Sequence, residues 1–131
     1  MPIKFHHVHL KSRDPAKAAE WYGRAFGFKI ESSVVRPVGD TFITCKSIDG
    51  TMVIISGPRT GEQLPDGTSA LHLGLEHFAV ETEDFDGDLA RLKALGAPVI
   101  EGPVQTPTGL RIAFFEGPDK VRIELMWFPK G

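Results

Sequence analysis

The stretch Val121-Arg122-Ile123-Glu124-Leu125-Met126 sets one carboxylate in the middle of a largely apolar run. Side chains alternate across a strand, so Val121, Ile123 and Leu125 share one face and Arg122, Glu124 and Met126 the other. The first face reads as core. The second holds an acid where water is scarce, and an ionised carboxylate is seldom found there without a cation, a hydrogen-bond partner or a metal. Two upstream stretches offer partners, Phe5-His6-His7-Val8-His9-Leu10 and Leu75-Glu76-His77-Phe78-Ala79-Val80. The expectation is that His7, His77 and Glu124 meet around one divalent metal, for which imidazole and carboxylate donors suit Zn, Ni, Fe, Mn or Co alike.

The two histidine stretches belong to a repeat. Sliding the chain on itself by 70 positions puts His7 on His77, Asp14 on Asp84, Glu31 on Glu101, Pro37 on Pro107, Gly39 on Gly109 and Asp49 on Asp119, while Glu124 falls on Ile54. Gly27 and Gly96 are 69 apart, which implies a one-residue indel at a helix end. Repeats of this kind decide a fold before any single element does. In the first half, a strand over residues 4–11 leads to Asp14-Pro15, an N-cap followed by proline at the first helical position. The helix runs to about Phe26 on a stripe of Ala18, Tyr22 and Ala25, and Gly27 is its left-handed stop. Strands over 29–35, 41–47 and 51–56 follow, the last two joined by the hairpin signal Asp49-Gly50.

The second half reads the same way. A strand over 74–81 precedes Asp84 as N-cap and a helix with Phe85, Leu89, Leu92 and Leu95 on one stripe, ending before Gly96. Strands over 99–104, 110–115 and 121–128 complete it. The expected organisation is therefore α+β, with one βαβββ module over residues 1–57, a connector over 58–73 rich in Gly, Pro, Thr, Asp and Ser, and a second βαβββ module over 74–131.

Composition excludes several classes of function. At 131 residues, with 41% hydrophobic residues and nine Phe, the chain can bury a real core. Its formal charge of −2 is not broken by any Lys/Arg cluster, so neither nucleic acid nor an anionic membrane is expected as a partner. The single Cys45 rules out an intramolecular disulfide, and it reads as a half-buried strand residue. No run approaches the roughly 18 apolar residues of a membrane span, and Met1-Pro2-Ile3-Lys4-Phe5-His6 lacks the core of a signal peptide. A cytoplasmic protein is the expectation.

Two tandem βαβββ modules, a His in each first strand, an Asp-led helix ending in Gly, and Pro118-Asp119 ahead of Glu124 in the last strand together resemble the vicinal oxygen chelate superfamily. That superfamily includes glyoxalase I, extradiol dioxygenases, methylmalonyl-CoA epimerase, and fosfomycin and bleomycin resistance proteins. The resemblance covers nearly the whole chain. It implies that the modules' sheets form a half-open barrel, with metal ligands from the first and last strands of each module. His7, His77 and Glu124 match those positions, and Ile54 stands where glyoxalase I carries its fourth ligand. The remaining set of two histidines and one carboxylate resembles the dioxygenase triad. Against ring cleavage, Phe114 stands in the place of the dioxygenase Tyr, and no residue from Gln105 to Thr108 is a His.

The resemblance implies a metal-dependent lyase or isomerase of the glyoxalase type, acting on a small bidentate oxygenated substrate through an enediolate, with Glu124 as general base and His9 as a possible substitute. An Fe(II)-dependent dioxygenase and a metal-free ligand-binding protein of the bleomycin-resistance type are the alternatives. A homodimer is also implied. From alternation alone, His9 shares the face of His7, while Arg122 flanks Glu124 and Arg111 faces the same cavity if residues 111, 113 and 115 point inward. Either arginine suits a substrate carboxylate or phosphate, or an ion pair with Glu31 or Glu101. His6, Glu76 and His72 carry no expected role.

Overall fold

Each half of the chain builds one helix and four strands in the same order. The computed structural model describes residues 1–130, and Gly131, the last residue of the expected second module, lies outside the described residues. In the first half β1 (Val8–Lys11), α1 (Pro15–Phe26), β2 (Lys29–Val35), β3 (Thr41–Lys46) and β4 (Met52–Ser56) form a sheet ordered β1-β4-β3-β2. In the second half β5 (Phe78–Glu81), α2 (Phe85–Ala94), β6 (Val99–Gln105), β7 (Arg111–Glu116) and β8 (Arg122–Trp127) form a sheet ordered β5-β8-β7-β6. The first and last strands of each half run parallel, and the other pairs are antiparallel. The chain divides into two compact units between Pro65 and Asp66.

The helix entries show how closely the halves repeat. Asp14 accepts from the Lys17 backbone N–H at 3.2 Å and Asp84 from that of Gly87 at the same distance, each satisfying a donor the first helical turn leaves free. Behind each cap a hydroxyl two residues earlier, Ser12 or Thr82, accepts the Asp backbone N–H. Gly27 closes α1 at φ 72°, a left-handed conformation that costs glycine little. Helix α2 ends instead on Leu95, with Gly96 at φ 85° following, which is the one-residue difference between the halves.

Each helix covers one face of its own sheet. In the first half Ala18, Ala19, Tyr22 and Ala25 are buried with Ile43, Cys45, Val53 and Ile55. In the second Phe85, Leu89 and Leu92 are buried with Ala113, Phe115, Ile123 and Leu125. Cys45 is thus fully buried rather than half-buried, and burial pushes its thiol pKa up. Ile123 and Leu125 take the helix side, so Arg122, Glu124 and Met126 fall on the sheet's other face.

The register repeats as well. His9 pairs with Ile54 across the parallel β1–β4 ladder, as Ala79 pairs with Glu124 across β5–β8. Ile54 and Glu124 are therefore equivalent positions in space as well as in sequence.

Two strands are shorter than expected. Strand β1 starts at Val8 and β5 at Phe78, because their ladders begin where Val53 and Ile123 supply partners. Side chains before those points are not bound by strand alternation.

Candidate metal centre

The second half gathers three of the residues singled out above on the face turned away from α2. His77 Nε2 lies 3.1 Å from Glu124 Oε1, the contact expected of two groups that point at one place. On the other side of the ring, Glu76 Oε1 lies 2.9 Å from His77 Nδ1. A carboxylate only accepts, so a hydrogen on either ring nitrogen has an acceptor beside it, and an ion held between His77 and Glu124 would require the hydrogen on Nδ1, towards Glu76, and the lone pair on Nε2. The Phe114 ring stands edge-on to His77 with centroids 5.1 Å apart and limits its rotation.

This donor pair fits a metal. Two ligand atoms about 2.1 Å from an ion at adjacent octahedral corners lie about 3.0 Å apart, close to the observed separation. A histidine whose second nitrogen is held by a carboxylate is also the usual form of a metal-ligating imidazole. The pair supplies two donors, and His7 is in the other unit. Among the described residues no group of three or more His, Cys, Asp or Glu side chains is gathered to hold a metal ion. Each half by itself carries a part of the expected ligand set.

In the first half the equivalent ligand position is apolar. Ile54 is 6% exposed and can donate nothing to an ion. Polar chemistry there moves one register step along the strand, where His9 Nε2 meets Ser56 Oγ at 2.7 Å and the Phe42 ring stands edge-on to the imidazole with centroids 5.7 Å apart. Partial burial, followed by the positive charges of Lys11 and its neighbours, holds the His9 pKa below its usual value. His7 lies beside it, ring centroids 6.2 Å apart, with its Nδ1 2.8 Å from His6 Nδ1. The second half has Ala79 and Met126 where the first has His9 and Ser56.

The two arginines take opposite faces of the sheet. Arg111 shares the helix side with Ala113 and Phe115, pairs with Asp86 on α2 at 2.8 Å, and lies over the Phe85 ring. It does not face Glu124, because strand alternation ties it to two core residues. The Arg111 guanidinium in turn holds the Asp86 carboxyl below its ordinary pKa. Arg122 is on the expected face but is only 4% exposed. It donates to the Ser69 carbonyl at 3.0 Å and to Glu101 at 2.8 Å, and its guanidinium lies over Phe114. Its charge is engaged within the protein rather than offered to a substrate, so Glu101 is the partner realised.

Glu76 is the residue sequence reasoning passed over. By strand alternation it would take the face opposite His77, yet it precedes β5 and turns back onto His77. The available signal was its repeat equivalence to His6, a hydrogen-bonding side chain directly before the repeated histidine in both halves.

Comparison with known proteins places this geometry in a wider group. The family model described as the Glyoxalase/Bleomycin resistance protein/Dioxygenase superfamily matches residues 4–125. The chain is 30% identical over 122 residues to the uncharacterized protein YaeR of Escherichia coli (strain K12), covering 92% of each chain. Among solved structures, a glyoxalase family protein from Bacillus cereus superposes with a TM-score of 0.84 at 18% identity, covering 97% of this chain and 95% of that one. The fosfomycin resistance protein FosX from Listeria monocytogenes, solved with Mn(II) and sulfate, superposes with a TM-score of 0.73 at 19% identity, over 98% and 95%.

Proposed function

The chain belongs to the Glyoxalase/Bleomycin resistance protein/Dioxygenase superfamily, and from that premise we propose that it is a metal-dependent lyase or isomerase acting on a small substrate with two neighbouring oxygens. The observation that carries this reading is the His77–Glu124 pair, 3.1 Å apart, with the far nitrogen of the histidine held by Glu76. His7, from the first half, completes the ligand set. When bound, the ion would draw electron density from both substrate oxygens and acidify the adjacent C–H.

The protein's own groups then divide the work. His77 and Glu124 orient the substrate through the site they form, and Phe114 keeps one side of it apolar. A base must reach the acidified carbon. Glu124 offers its second carboxylate oxygen for this. His9, fixed by Ser56, is the other candidate, and it belongs to the half whose ligand position is occupied by Ile54.

The dioxygenase alternative is weaker on one observation: the ring packed against His77 is Phe114, which has no hydroxyl with which to move protons. Ile54 favours the metal-free ligand-binding alternative over a four-ligand glyoxalase site, but not over three ligands. We further propose a homodimer in cytoplasm, which gel filtration checks: elution at 14.4 kDa rather than twice that mass would remove the dimer.

The reading is tested by incubating Ni-, Zn- or Mn-loaded protein with 2-hydroxy and 2-oxo carbonyl compounds in D₂O. Metal-dependent exchange of the C–H next to the carbonyl, with no oxygen consumption, is the expected result. Oxygen uptake without exchange would establish the dioxygenase reading in its place, and inertness of the loaded protein towards every compound would leave only ligand binding.

A further inference from the structure

Arg122 and Glu76 form a second layer behind His77 that the ligand reading does not require. The Arg122 guanidinium is buried, and its Nε has no hydrogen-bond partner although both terminal nitrogens are engaged. The charge nearest that Nε is Glu76 Oε1 at 3.6 Å, the same oxygen that meets His77 Nδ1 at 2.9 Å. A buried guanidinium is fixed by its stacking on Phe114 and by Glu101 and Ser69. It therefore gives Glu76 a stationary counter-charge, and Glu76 gives His77 a stationary acceptor.

The first half repeats the arrangement with different chemistry. His6, the equivalent of Glu76, meets His7 at Nδ1 at 2.8 Å. In both halves the side chain directly before the histidine that precedes the first strand meets the same ring nitrogen. Two independent occurrences of one contact, at equivalent positions with unlike residues, are hard to ascribe to chance packing.

We infer that Glu76 is a positioning residue: held by Arg122, it accepts from His77 Nδ1 and shifts the ring towards the tautomer with hydrogen there, against the competing acceptor Glu124 at Nε2, so that Nε2 is left free to ligate beside Glu124. The inference rests on the metal reading for its purpose but not for its geometry. Acceptors of this kind orient a ligating imidazole and raise its basicity, and their removal commonly costs roughly 10–100-fold in metal affinity.

The test compares wild type, Glu76→Ala and Glu76→Gln by nitrogen-15 NMR of the neutral His77 ring without metal, and by titration with Zn(II) and Ni(II). The side chain of Glu76 is 34% exposed, so both variants should fold. Expected are a shift of the Glu76→Ala ring towards the Nε2–H tautomer and a roughly 10–100-fold weaker metal affinity, with Glu76→Gln, whose amide oxygen still accepts, close to wild type. An unchanged tautomer population in Glu76→Ala would overturn the inference. If the tautomer moves as stated while wild type binds neither ion, the positioning role stands and the metal reading alone fails.

Discussion

Glu124 illustrates how far a single residue can be read. A carboxylate whose side chain is only 12% exposed has to find a partner, and His77 is the one it finds. Both were legible because a repeat of 70 residues put His77 at the position of His7 and showed Ile54 at the position of Glu124. Arg111 was misjudged at the same scale. Its neighbours at alternate positions, Ala113 and Phe115, are core, and that alone turns Arg111 towards the helix and Asp86. Glu76 was missed because alternation was applied to a residue that precedes the ladder. Periodicity shows which face a strand residue takes, but the length of a ladder depends on where its partner begins, which one strand's sequence does not hold.

The elements themselves were legible to within a residue or two wherever a turn residue marked the boundary. Asp14, Gly27 and Asp84 fix the helix ends, and β2 starts and stops where its β-prone run does. What could not be read was the turn between β2 and β3. There Asp40, fully buried, receives the Arg36 side chain at 2.9 and 2.6 Å, and the Arg36 backbone N–H meets the Asp40 carbonyl. Hydrogen bonds from Arg36 hold the Asp40 carboxyl below its ordinary value. A carboxyl lowered in the folded state contributes stability that is present above its unfolded value of 3.8 and is lost as pH falls through the lower folded value. Asp40→Asn should therefore melt a few degrees below wild type at neutral pH, with the gap closing in acid, as thermal unfolding followed across pH would show. A gap that stays constant down to the lowest pH would mean that the charge of Asp40 contributes nothing.

At the scale of the whole chain, the duplication explains both what the halves share and how they have diverged. Each keeps its capped helix, its sheet order and, directly before its first strand, a histidine with a hydrogen-bond partner at Nδ1. The second half has the carboxylate of Glu124 where the first has Ile54, and the first has His9 and Ser56 where the second has Ala79 and Met126. Such a division makes neither half sufficient for the proposed chemistry. Among the described residues no helix is long and apolar enough to cross a membrane. The family and the α+β architecture were legible because a repeat constrains every element twice, whereas the substrate depends on side chains that the repeat does not constrain.

Isothermal titration of wild type, His7→Ala, His77→Ala and Glu124→Gln with Mn(II), Ni(II) and Zn(II) bears most directly on the claim that two imidazoles and one acid share an ion. The expected result is one ion per chain for wild type and at least about a tenfold loss of affinity, about 1.4 kcal/mol, in each of the three variants. Wild type that takes up no ion, or His7→Ala binding as tightly as wild type while the other two fail, would contradict it.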